Sequence, residues 1–116
     1  AQYNLPGTFC PIADFNLVRK AAELCEKAGV NFKVGNILSS DVFYDDANSG
    51  MTWAKMGVLG VEMESAALYC NAARAGKSAL CICTVSDSFV NPSENTTAEE
   101  RQNSFTAMMK IALELA

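Results

Sequence analysis

Histidine is missing from all 116 residues. Its absence removes the commonest metal ligand and the commonest general base. No Ser-His-Asp triad can be assembled without it. Glycine-rich phosphate loops of the form GxxxxGK or GxGxxG are missing too. No apolar run reaches the roughly 18 residues that a bilayer-crossing helix needs. No charged leader followed by an apolar stretch and a cleavage site opens the chain, so no signal peptide is expected. Basic residues are outnumbered, 9 to 13, for a net charge of -4. With no basic stripe, that balance argues against a nucleic-acid-binding protein, whose affinity rests on phosphate contacts.

Half of the chain is hydrophobic, and the length suits one domain rather than two. Five cysteines, Cys10, Cys25, Cys70, Cys81 and Cys83, stand in apolar surroundings. An odd number there reads as reduced, buried thiols in a cytoplasmic protein. Cys81 and Cys83 should share one face of a strand. CxC is too short for a redox CxxC, and no further ligands cluster to make a zinc site. The opening "AQYNLPGTFCPIADF" has no initiator methionine and reads as the interior of a longer protein.

Asp14 suits the cap of a helix over "FNLVRKAAELCEKA", with Leu17, Ala21, Leu24, Cys25 and Ala28 as its apolar stripe. Gly29 should close it. A strand is expected in "VNFKVGNILSS", then an acidic turn in "DVFYDDANSG" and a short helix in "MTWAKMG". "VLGVEMESAALYCNAARAG" should open extended, turn helical near Met63 and close at Gly76. "KSALCICTV" is nearly all apolar, as a parallel strand covered on both faces is. A last helix starts at Thr97, where Thr97 and Glu100 make a capping box. Its stripe is Phe105, Met108, Met109 and Ala112. The order is that of an α/β layered domain. Two or three strands are few for such a sheet, a second sign of a longer parent.

Asp87 follows directly on the apolar strand. In open α/β sheets, ligands bind outside the carboxyl ends of the strands. A partly shielded carboxylate there suits proton donation; it equally suits a turn cap. Arg101 sits in the first turn of the last helix, where the helix dipole disfavours a cation. Either it reaches back across the loop to hold Asp87, or it pairs with a nearby glutamate at the surface. Glu62 and Glu64 flank Met63. If the segment is extended, both carboxylates share a face and suit a polyhydroxyl ligand such as a ribose. If helical, they are an acidic first turn. Phe43 and Tyr44 can stack on a planar base or pack at a rim.

"GNILSSDVFY", "LGVEMESAALY" and "CTVSDSF...TTAEER" together resemble the C-terminal half of the hexameric, bacterial-type purine nucleoside phosphorylases. The resemblance runs from about Phe9 to the end. It implies a three-layer α/β/α fold, of which residues 1–116 supply the C-terminal portion of a single domain. It implies reversible phosphorolysis of purine (deoxy)ribonucleosides to free base and sugar 1-phosphate. Phosphate is then a co-substrate, and no metal or organic cofactor is needed. Asp87 would be the general acid toward purine N7, with Arg101 assisting. Glu64 would bind the ribose hydroxyls and Met63 would pack on the sugar. Val61, Glu62, Phe43 and Ser86 would line the base and sugar pocket.

The resemblance places the phosphate-binding glycine and arginines in an N-terminal half that this chain does not carry. It places there too the histidine and arginine that reach in from a neighbouring subunit. The chain alone is therefore expected to be inactive. Ser88 departs from the pattern, since the family usually has histidine after "SD". Two alternatives stand beside this reading. One is a purine nucleosidase that uses water, which "TTAEER" disfavours. The other is a non-catalytic α/β assembly domain, in which Asp87 and Glu64 are caps.

Overall fold

A computed structural model describes residues 4–103 and 105–116, with side chains of Gln102 and Asn103 left aside. Its elements run α1 (Phe15–Ala28), β1 (Ile37–Ser39), α2 (Gly50–Lys55), β2 (Gly60–Glu62), α3 (Ser65–Arg74), α4 (Ala98–Asn103) and α5 (Thr106–Leu115), with a 3-10 turn at Pro92–Glu94 before α4. The chain divides into two compact units. One comprises Ala1–Leu17 and Gly35–Leu80, the other Val18–Val34 and Cys81–Ala116.

The first unit is built on a parallel pair. Ile37, Leu38 and Ser39 lie opposite Gly60, Val61 and Glu62. Parallel neighbours need a crossover, and α2 lies within it. Backbone bonds extend the pair at both ends, from Leu59 N–H to Asn36 O (2.8 Å) and from Ser40 N–H to Glu62 O (2.9 Å). A Cβ placed on Gly35 would come within 2.7 Å of Leu59 Cδ1, so glycine leaves room for the Leu59 side chain. Asp45 starts α2. Its Oδ2 accepts from Ser49 N–H, Ser49 Oγ and Gly50 N–H. The Ser49 hydroxyl, chief among these, holds the Asp45 carboxyl below the usual carboxylate range.

Asp14 caps α1 as expected. Its Oδ1 accepts from Leu17 N–H at 3.0 Å and its Oδ2 from Ser78 Oγ at 3.0 Å. Asp14 N–H also donates to Ala79 O at 2.9 Å. The Leu17 N–H first, and the Ser78 hydroxyl after it, hold its carboxyl below the ordinary range. Gly29 and Gly76 take φ of +68° and +64° just past α1 and α3, the left-handed turn that glycine makes at least cost.

In the second unit, Ala21 on α1 and Ile111 on α5 are the buried apolar residues. The buried side of α5 runs through Phe105, Met108, Ile111 and Leu115. Phe105 and Met108 were expected there; Met109 and Ala112 are instead exposed.

Three sequence expectations need correction. The segment Ser78–Val85 forms no ladder among the described residues. Exposure nonetheless alternates residue by residue from Ile82 to Ser88, the period of a strand. Cys81 and Cys83 do share a face, with sulfurs 3.4 Å apart. A strand is defined by its partners, and this one has the pattern without the pairing. The single last helix is two, α4 and α5. No cysteine is in a disulfide, as expected, but none is buried: Cys10 and Cys83 are exposed, and Cys25, Cys70 and Cys81 are half-buried.

Packing depends on few residues, so replacing one should be costly. Ile111→Ala should lower unfolding free energy by about 2 kcal/mol, the low end for a buried aliphatic. Leu113→Ala, at an exposed position, should stay within about 0.5 kcal/mol of wild type. Urea unfolding of both variants measures the difference.

Candidate functional site

The candidate residues fall into two groups, one in each unit. The first lies where β2 gives way to α3. Val61 is exposed on β2, and Met63 and Glu64 follow in the bend before Ser65 opens the helix. An α-helix begins with four N–H groups that lack intrahelical partners. Glu62 supplies the acceptor. Its Oε2 takes Glu64 N–H (2.7 Å) and Ser65 N–H (2.6 Å), and its Oε1 takes the Ser65 hydroxyl. Ser39 Oγ, at the end of β1, accepts from Ala66 N–H at 3.3 Å. Burial pushes the Glu62 carboxyl up. The Ser65 hydroxyl, the N–H groups of Glu64 and Ser65, and the Ser39 hydroxyl outweigh it and hold Glu62 below the ordinary carboxylate range.

Glu62 and Glu64 are thus not an equivalent pair. Glu62 is committed to the start of α3. Glu64 is exposed, and its contact is a 3.3 Å bond from Met63 N–H to Oε2. The sequence left open whether this stretch was strand or helix. It is a strand to Glu62, a helix from Ser65, and a bend between. Phe43 stands edge-on to Tyr44, centroids 5.1 Å apart at 81°, and both rings are well exposed.

The second group surrounds Asp87. Arg101 does reach back across the loop: its Nη2 lies 3.4 Å from Asp87 Oδ1. The Ser86 hydroxyl donates to the other oxygen, Oδ2, at 2.7 Å. Each carboxylate oxygen is therefore met by one donor. Both partners of the ion pair are about half exposed, so it contributes little stability. Its effect is positional.

Thr96, absent from the sequence expectations, organises this corner. Its N–H and its hydroxyl both donate to Ser86 O, at 2.8 and 2.7 Å. Arg101 in turn donates from Nε to Thr96 Oγ1 (3.3 Å) and from Nη2 to Thr96 O (2.9 Å). The doubled threonine of "TTAEER" is the sequence signal: Thr97 makes the cap, and Thr96 beside it makes these contacts. That capping box is present: Thr97 N–H donates to Glu100 Oε2 (2.7 Å) and Glu100 N–H to Thr97 Oγ1 (3.2 Å). The Thr97 N–H, the larger cause, and its hydroxyl hold Glu100 below the usual range.

Ser88, where the resembled family usually has histidine, belongs to the loop. Its N–H donates to Asn95 Oδ1 (2.7 Å), and its hydroxyl accepts from Asn91 N–H (3.0 Å). Asn91 Nδ2 continues to Glu94 Oε1 at 2.9 Å. Among the described residues no cluster of three or more His, Cys, Asp or Glu side chains is placed to hold a metal ion. No helix among them is long and apolar enough to cross a membrane.

The arrangement of Glu62 predicts a pH response. A carboxyl held low in the folded state lends stability above its unfolded pKa, about 4.3. That stability fades as pH falls through the lower folded value. Glu62→Gln should therefore show a shallower loss of stability than wild type between about pH 5 and pH 3. Urea midpoints across that range check the slope.

A family profile described as Phosphorylase superfamily matches residues 2–116. A purine nucleoside phosphorylase DeoD-type of Clostridium novyi (strain NT) is 54% identical over 109 residues, 93% of this chain and 46% of that protein. The like-named protein of Streptococcus pneumoniae (strain CGSP14) is 53% identical over 114 residues, 97% and 47% of the two chains. One from Alkaliphilus metalliredigens (strain QYMF) is 50% identical over 109 residues, 93% and 46%. The chain spans about half the length of the curated relatives it matches.

Proposed function

The chain belongs to the phosphorylase superfamily, and on that premise we propose that its intact protein carries out the reversible phosphorolysis of purine (deoxy)ribonucleosides. The observation that carries the reading is the Asp87–Arg101 pair, held beside Ser86 at the end of an apolar segment. Relatives bearing the name purine nucleoside phosphorylase support the purine and the phosphate.

Cleaving the glycosidic bond leaves negative charge on the departing purine and cation-like charge on the sugar. A protonated Asp87 gives its proton to N7 and offsets the first. As it does so it becomes a carboxylate, and the Arg101 guanidinium is already beside it. The attraction between them is therefore greatest when charge has moved, which is the condition for lowering a barrier. The 3.4 Å separation is longer than a usual charge-assisted bond, as catalytic contacts often are without substrate.

Glu64 is the carboxylate left to accept hydrogen bonds from the ribose hydroxyls, with Met63 packing on the sugar. Glu62 contributes through its hold on α3, which sets where the bend and Glu64 lie. Val61 and Phe43 offer apolar surface to sugar and base, and Ser86 lies next to the base. Phosphate captures the sugar, and its binding groups belong to parts of the protein outside this chain. The proposal includes a three-layer α/β/α sheet, a cytoplasmic hexamer, and no metal or organic cofactor. Exposed apolar residues such as Val85, Phe89 and Val90 suit surfaces covered in that larger assembly.

The test is an assay of the intact protein on inosine and adenosine, with and without phosphate. Sugar 1-phosphate should form only with phosphate present. Cleavage that ignores phosphate would point to the water-using nucleosidase, and no cleavage to a non-catalytic domain. Asp87→Asn should lower turnover about 10²–10⁴-fold, with a far smaller change in KM. Equal losses in both would mean a structural aspartate.

A further inference from the structure

We propose that Thr96 is a positioning residue for proton delivery by Asp87, a role that rests on the phosphorolysis reading. The argument is the division of labour around Arg101. Two of its nitrogens bond to Thr96, Nε to the hydroxyl at 3.3 Å and Nη2 to the carbonyl at 2.9 Å. Its contact with Asp87 is a single, longer one of 3.4 Å. The guanidinium is planar and presents its donors in a fixed fork. The Asp87 contact comes from the same Nη2, which carries two hydrogens, so holding Nε and Nη2 on Thr96 fixes where the second Nη2 hydrogen points.

The same threonine grips the residue before Asp87. Its hydroxyl and N–H converge on Ser86 O. One hydroxyl thus donates toward the acid's side of the loop and accepts from the arginine. Acid and cation are referred to a common point, and their spacing does not depend on their own weak bond. Serine keeps this hydroxyl and valine loses it at similar size, which makes the role separable.

The experiment uses the intact protein with phosphate and two substrates. Inosine needs a proton on its leaving base. N7-methylinosine already carries positive charge on the base and leaves without an acid. Thr96→Val should lower kcat on inosine roughly 10- to 150-fold, the scale of a lost hydrogen bond to a charged group. On the N7-methyl substrate kcat should stay within about 2-fold, on the same reasoning. Thr96→Ser should keep the wild-type ratio between substrates.

Equal losses of Thr96→Val on both substrates would overturn the proposal, leaving Thr96 as a loop fastener. A Thr96→Ser ratio as disturbed as that of Thr96→Val would overturn it too. Should the valine variant not fold, Thr96→Ala carries the same expectation and the same overturning result. Asp87→Asn is the control for the underlying reading. If it spares the N7-methyl substrate while Thr96→Val does not, only the Thr96 role fails. If it depresses both substrates alike, the acid itself is misassigned and the Thr96 role falls with it.

Discussion

A single carbonyl oxygen, that of Ser86, anchors the corner that holds Asp87 and Arg101. Two donors from Thr96 meet it, one from the backbone and one from the side chain. They close the excursion between those residues at its neck. Everything argued for Asp87 depends on that closure, because the aspartate follows directly on the anchored residue. Arg101 lies in the last turn of the short helix α4, whose capping box begins at Thr97. The cap fixes the start of the helix, and the helix delivers the arginine. Because α4 ends soon after it, Arg101 stands where the helix dipole favours a cation.

The other group follows a related logic with a carboxylate at its centre. Glu62 ends a strand and accepts the donors that the next helix leaves open. A negative group at a helix start is favoured by the dipole as well. The sequence offered two glutamates two apart and no means of telling them apart. What separated them was where the strand stopped. With Glu62 still on β2, its side chain folds forward onto α3, while Glu64 falls in the bend.

Local signals were the legible ones. The cap at Asp14, the glycine stops at Gly29 and Gly76, and the Thr97–Glu100 box are each decided within a few residues. Sequence spacing is then nearly spatial spacing. The residues left the partner of Arg101 open between Asp87 and a nearby glutamate, and the structure pairs it with Asp87. Pairing was harder to read. Ser78–Val85 has the composition and the alternation of a strand, yet a ladder needs a second backbone, which no local pattern specifies. Thr96 was missed because its role joins a residue ten positions back to one five positions ahead. Neither partner shares its periodicity.

The loop between Ser86 and Thr96 separates what must stay fixed from what is free to change. Its neck is held by the N–H and hydroxyl of Thr96 on Ser86 O and by Ser88 N–H on Asn95 Oδ1, while its tip, through the turn at Pro92–Glu94, is knit by Ser88, Asn91 and Ser93. Loop-closure cost grows slowly with length, by about 0.6 kcal/mol per doubling. The tip can therefore lengthen, shorten or exchange residues without disturbing the neck. Ser88 fits that scheme, since a departure from the family pattern there is absorbed by bonds inside the loop. A sequence can vary at such a tip while the position of Asp87 is held.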